Sequence, residues 1–213
     1  MSSEPERRRY DSLRRSAQAR ETRTAIADAA RRLFVSRGWA VTTVREVARE
    51  AGVSAPTVYA TYGNKAGLTR ALADAADLSA DMPRMLEELE GTTVPERHLA
   101  AMAAYDRRLF ERAGDVISLV REAARTEPEL ATAYREGRGR GDETRVLVFS
   151  SWPDGTLRDG LDVASAVDVY GAVCSIDVYT TLTGERGWSP DRVELWWSEA
   201  LARELLSHHR AGS

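Results

Sequence analysis

Apolar residues along this chain recur at three- and four-residue intervals, and no stretch alternates with the period of two that a half-buried strand requires. From Thr22 the spacing becomes helical. Ile26, Ala30, Leu33 and Phe34 share one stripe, which predicts an amphipathic helix capped by Gly38. Thr43-Val44-Arg45-Glu46 is a T-x-x-E capping box: the hydroxyl caps, the carboxylate reaches back, and a short helix follows that Gly52 stops. Ser54 can cap a third helix with Pro56 in its first turn, where a missing N–H is harmless, and Gly63 closes it. Asn64 can cap a fourth helix carrying Leu68 and Leu72. Ahead of Thr22, residues 1–20 hold Arg7, Arg8, Arg9, Arg14, Arg15 and Arg20 with almost no apolar periodicity. They read as a flexible basic arm, partly helical at most.

Beyond Asp77 the segments lengthen. Pro83 predicts a break near residues 79–83, and others are expected at Gly91-Thr92-Thr93, Gly114, Thr126-Glu127-Pro128, Trp152-Pro153-Asp154-Gly155 and Gly184–Pro190. Between them the pattern predicts helices over Pro95–Arg112, Asp115–Arg125, Glu127–Ser151, Asp162–Thr183 and Pro190–His208. Gly137, Gly139 and Gly141 fall inside one of these, each costing about 1 kcal/mol relative to alanine, so an interruption is expected between residues 136 and 142. The Arg-Gly alternation imitates an RNA-binding tract, but only Arg138 and Arg140 stand between the glycines and a local kink is the simpler reading. The fold class is all-α, with about nine helices.

Composition adds an asymmetry. The net charge of the 213 residues is -3, yet residues 1–70 hold 14 Lys+Arg against 7 Asp+Glu, and residues 71–213 hold 16 against 26. A basic third on an acidic protein suits a polyanion partner, and solvated faces of no special role would look the same. Of 30 basic side chains one is lysine, Lys65. The single cysteine, Cys174, cannot form an internal disulfide, no apolar run reaches the roughly 18 residues of a membrane span, and the N-terminus is charged. A cytoplasmic protein is expected.

Residues 44–62 meet every demand of a helix-turn-helix. Two steeply crossing helices need a small residue where they touch, supplied by Ala48; the turn needs a positive φ, supplied by Gly52. Val47, Ala51, Val53 and Val58 then close a small core on the Ile26/Leu33/Phe34 stripe. With Gly38, Thr42-Thr43, Ala51-Gly52-Val53-Ser54, Thr57-Val58-Tyr59, Tyr62, Lys65 and Leu68, the stretch Ile26 to Leu72 resembles the DNA-binding domain of the TetR family. Glu185-Arg186-Gly187-Trp188-Ser189-Pro190 ahead of a Trp-rich helix is similar, more weakly, to many members. The chain departs from the family pattern at Ala66 and Gly67, so a looser start of the fourth helix is expected.

The resemblance implies a three-helix DNA-binding domain over residues 21–68, following the arm at 1–20, and an effector-binding and dimerisation domain over 69–213. It places the Ser54–Tyr62 helix in the major groove, with Ala55, Pro56, Thr57, Tyr59, Ala60 and Thr61 outward and Val58 inward. Arg45 is the candidate for bidentate guanine contact; Thr43, Tyr59, Tyr62 and Lys65 suit phosphates or groove walls, with a packing role equally open for Tyr62. The arm's arginines can add phosphate or minor-groove contacts, or form a solvated tail.

One helix-turn-helix makes too few contacts for selective binding, so pairing across a pseudo-palindromic operator is implied. The segment Val163–Leu182 is apolar or small almost all round and asks to be covered on both sides. Val163, Val167, Tyr170, Gly171, Cys174, Val178, Val193, Trp196, Trp197, Leu201 and Leu205 are the candidate homodimer interface, a monomeric core being the alternative. Met102, Tyr105, Leu109, Ile117, Phe149, Trp152, Tyr170 and Cys174 are candidates to line a pocket for a small apolar or aromatic effector. The expected function is a repressor released by that effector, with an activator or co-repressor-dependent regulator as alternatives. No cofactor and no metal site are expected, since His98, His208 and His209 lack ligand spacing with Cys174. No nucleophile elbow or phosphate loop suggests an enzyme.

Overall fold

The computed structural model describes the backbone of residues 4–77 and 81–207 and the side chains of residues 14–75 and 81–207. The elements in chain order are α1 (Glu4–Arg37), α2 (Val44–Glu50), α3 (Ala55–Tyr62), α4 (Lys65–Asp77), α5 (Met82–Glu90), α6 (Pro95–Ala123), α7 (Pro128–Ser150), α8 (Val163–Val173), α9 (Ile176–Thr180), a π-helical turn (Thr181–Glu185) and α10 (Pro190–Leu205). The only extended pairing among the described residues is an isolated bridge between Leu157 and Leu206. The all-α class is therefore observed. His208 and His209, with the expected end of the last helix, lie outside the described residues.

The chain divides into two compact units, one of Met1–Asp74 with Leu119–Ala131 and one of Ala75–Ser118 with Thr132–Ser213. In the first, Ile26, Ala29, Ala30, Leu33 and Phe34 of α1 are buried together with Val44, Val47 and Ala48 of α2, Val58 of α3, and Leu68 and Leu72 of α4. The second is built on a cluster from Met85 and Leu99 through Met102, Phe149 and Tyr170 to Trp197 and Leu205. No described helix is long and apolar enough to cross a membrane.

Several boundaries differ from those the sequence predicts, each for a physical reason. The stretch expected as a flexible arm is helical from Glu4 onward and continuous with α1. No glycine or proline stands between Glu6 and Arg37, and alanine, arginine and glutamine are good helix formers. Gly114 does not break α6: it is buried, and a Cβ there would lie 3.1 Å from the Ile176 Cδ1, so the glycine makes room for a neighbouring side chain. The interruption expected at residues 136–142 is absent from α7. A Cβ on Gly141 would meet the Arg145 guanidinium at 3.0 Å, and one on Gly171 would meet that of Arg138 at 3.5 Å, so packing sets both positions. Conversely, the helix expected over Asp162–Thr183 is divided. Cys174 leaves the helical region (φ -93, ψ 55), and the Ser175 hydroxyl accepts from the Val178 amide at 3.3 Å to start α9.

Candidate functional site

Local capping chemistry places α2 and α3. The Thr43 hydroxyl accepts from the Glu46 amide at 3.2 Å, and the Glu46 carboxylate accepts from the Thr43 amide at 2.8 Å. These bonds, to backbone first and then to the hydroxyl, hold the Glu46 carboxyl below its ordinary range. The turn is made by Gly52 at φ +68, where the Val53 amide donates back to the Ala48 carbonyl at 2.9 Å. Ser54 then caps α3, its hydroxyl accepting from the Thr57 amide at 3.3 Å.

The resulting α3 buries one face and leaves the other open. Val58 is 1% exposed, whereas Tyr59 is 50% exposed, and Pro56 and Ala60 are exposed beside it. Ser54, Thr43 and Arg45 are exposed; Ala55, Thr57 and Thr61 are half-buried. The Thr57 hydroxyl lies 2.8 Å from that of Ser54, and Thr61 donates to the Thr57 carbonyl at 2.7 Å. An eight-residue helix with small and hydroxyl side chains on its open side matches the dimensions of a major groove.

Two candidates for phosphate contact are engaged elsewhere. Lys65 donates its ammonium to the Trp39 carbonyl and, at 3.4 Å, to that of Ala40, and it lies 3.9 Å from the Trp39 ring centroid. Burial lowers its proton affinity, opposed by Glu127 and then Glu46. The lysine thus closes the end of the α1–α2 connection. Tyr62 is half-buried and donates its hydroxyl to the Arg23 carbonyl at 3.0 Å, the packing role left open for it.

Gly67 also has a structural reason. The start of α4 is not loose: the Asn64 side chain accepts from the Gly67 amide at 2.6 Å, and a Cβ on Gly67 would overlap the Tyr62 carbonyl oxygen. Gly67→Ala is expected to push α3 and α4 apart at a cost of about 1–3 kcal/mol, read as a lowered midpoint in thermal unfolding. An unchanged midpoint would show that the turn yields freely.

In the second unit the candidate effector residues largely come together. Met102, Phe149, Trp152, Tyr170 and Cys174 belong to one buried cluster, and Tyr105 and Ile117 pack against it; Leu109 is half-buried on α6 and is not part of it. Burial pushes the Tyr170 phenol and the Cys174 thiol well up, so both are held neutral. Beside them stands a pair that no linear motif announces. Asp106, 4% exposed, accepts from the Tyr170 hydroxyl at 2.9 Å and from Arg145 at 3.1 Å. Arg145 also donates to Asp142 at 2.8 Å and lies 4.4 Å from the Tyr170 ring centroid. Burial disfavours the guanidinium's charge, and Asp106, Tyr170 and Asp142 together more than offset it. The one signal in the sequence is periodicity: Asp106 continues the Leu99, Met102/Ala103 stripe toward Phe110 and Ala113. His98 is a second buried polar group, accepting from the Trp152 indole at Nδ1 (2.9 Å) while Nε2 faces the Thr92 and Leu89 carbonyls, which selects the Nε2–H tautomer.

Most of the candidate dimer residues serve their own unit. Val167, Tyr170, Cys174, Val193, Trp197, Leu201 and Leu205 are buried in its core, because α8 and α10 pack on each other and present their apolar faces inward. The Arg138 guanidinium lies close over Gly171. Val163, Val178 and Trp196 are half-buried, and Leu195, 62% exposed, lies next to Trp196. Among the described residues no group of three or more His, Cys, Asp or Glu is placed to hold a metal ion.

An all-α chain with a capped, two-sided α3 after a glycine turn defines a helix-turn-helix protein. Residues 26–72 match the family model described as bacterial regulatory proteins, tetR family. The chain thus carries a DNA-binding domain of the tetR type over those residues. It is similar to the HTH-type transcriptional regulator TtgR of Pseudomonas putida, 38% identical over 82 residues that cover 38% of this chain and 39% of that one. An uncharacterized HTH-type regulator of Bacillus subtilis, YdeS, is 29% identical over 71% of this chain and 76% of its own. The matches to the first curated relatives, YvkB, TtgR and ArpR, span less than two-fifths of those proteins' lengths. Among solved structures, NalD of Pseudomonas aeruginosa shares the fold at TM-score 0.71 and 23% identity, over 92% of this chain and 100% of that one. The SmeT–triclosan complex does so at TM-score 0.68 and 21% identity, over 88% and 93%.

Proposed function

We propose that this chain is a sequence-specific DNA-binding transcription regulator, acting as a homodimeric repressor that a small apolar or aromatic effector releases from a pseudo-palindromic operator. The observation that carries the reading is α3 itself: Val58 anchors it while Pro56, Tyr59 and Ala60 stay open to solvent. Ala55 and Ala60 suit thymine methyls, Thr57 and Thr61 suit polar edges or phosphates, and Arg45 reads guanine. Ser54 and Thr43 keep their capping roles beside the backbone of the DNA.

Dimerisation supplies the second half-site. With so much of α8 and α10 committed to the subunit's own core, the surface left for a partner is Leu195 with Trp196, Val163 and Val178. The effector reading draws support from SmeT, solved as a complex with triclosan, and from NalD, described as a repressor of a multidrug efflux pump. An effector that fits best when the two α3 helices stand further apart than one helical turn, about 34–36 Å, opposes operator binding by the same coupling energy.

The test is a set of binding titrations on the DNA flanking the chain's own gene and on random duplex. Arg45→Ala is expected to reduce discrimination between the two by about 1–3 kcal/mol. Lys65→Ala, by contrast, should lower thermal stability and leave the salt dependence of binding unchanged. Equal losses on both DNAs for Arg45→Ala would remove it from base reading.

A further inference from the structure

The recognition elements are short of positive charge. Helix α3 holds no charged residue at all. Lys65 is turned onto the carbonyls of Trp39 and Ala40, Arg32 pairs with Glu50 at 3.3 Å, and Arg37 pairs with Glu46 at 3.5 Å. On α2 this leaves Arg45 and Arg49, both exposed. Affinity for any duplex comes mainly from neutralising phosphates, and proteins that bind well make roughly 6–10 such contacts. Across a dimer that is four arginines on α2, two of them committed to bases, which falls short of that number.

The missing charge stands on α1. Residues 4–20 carry Arg7, Arg8, Arg9, Arg14, Arg15 and Arg20 against Glu4, Glu6 and Asp11, and the helix runs unbroken through them. Arg14, Arg15 and Arg20 are exposed. The join between Tyr62, the last residue of α3, and the Arg23 carbonyl fixes α1 to the recognition helix within one turn of where this basic stretch begins. From Arg23 back to Glu4 the helix extends roughly 28 Å at 1.5 Å per residue. A helix about 10 Å across cannot enter a minor groove about 6 Å wide, so a helical arm meets the backbone instead.

We propose that the N-terminal half of α1 is a rigid basic arm that lies on the phosphate backbone flanking the half-site and supplies most of the protein's sequence-independent affinity for duplex DNA. This rests on the proposed DNA-binding function.

The test uses the full-length protein and a random-sequence duplex of about four helical turns, titrated between about 50 and 200 mM salt. Replacing Arg14, Arg15 and Arg20 together with alanine, which preserves helix, is expected to reduce the slope of log affinity against log salt by about 2–3 per protomer. The same loss of affinity should appear on the gene-flanking DNA. Ala17→Pro keeps every charge but breaks the helix, and is expected to lose much of the same slope. An unchanged slope in the triple variant overturns the proposal, and so does Ala17→Pro binding like the parent protein, which would mean a flexible arm. In either case Arg45→Ala still tests base reading by the helix-turn-helix independently. A parent protein that binds no duplex overturns both readings.

Discussion

Asp106→Ala should lower the unfolding free energy by about 3–5 kcal/mol, because it strands the Arg145 charge inside the second unit. The carboxylate is buried and holds two donors at once, the Tyr170 hydroxyl at 2.9 Å and the Arg145 guanidinium at 3.1 Å. Removing it leaves the phenol without that acceptor and the guanidinium with Asp142, whose side chain is 39% exposed. Against a typical stability of about 5–15 kcal/mol, that loss takes a large share. The pair need not stabilise the fold in itself, since desolvating two ions offsets much of their attraction. Hence Asp106→Leu combined with Arg145→Met should recover most of the loss. Denaturant unfolding of the two single variants and the double variant checks this. Simple addition of the single losses would contradict a direct pair.

Ala60→Glu should cost about 3 kcal/mol of operator binding, or roughly 100-fold, while leaving thermal stability almost unchanged. Ala60 is exposed on α3 and glutamate is a good helix former, so the fold has no reason to object. A carboxylate at that position would face phosphates and acceptor-rich base edges with no cation beside it on the helix. Anisotropy titration at fixed salt reads the loss, and the melting curve shows that it is not unfolding. Wild-type affinity in this variant would mean that α3 does not face DNA.

The helix-turn-helix was legible because its determinants are consecutive. A capping box, a glycine at φ +68 and a serine cap act over three or four residues, and each formed as expected. Failures arose where distant partners decide. Gly114 reads as a break until Ile176 is found against it, and nothing local to Gly171 shows that Arg138 lies over it. The two carbonyls that hold the Lys65 ammonium are likewise invisible in the local sequence. Aromatic and apolar residues of α8 and α10 show that these helices must be covered, without showing that their own unit covers Trp197 and Leu201 first. Asp106 and Arg145 lie far apart along the chain, and only the packing of α6, α7 and α8 joins them to Tyr170.

The most direct test of α3 as the reading element is dimethyl sulfate protection of guanine N7, which lies in the major groove, on the DNA flanking the gene. The expected result is two clusters of protected guanines centred about 34–36 Å apart, lost together in Ala60→Glu. Protection that survives Ala60→Glu, or confined to a single cluster, would contradict a paired recognition helix.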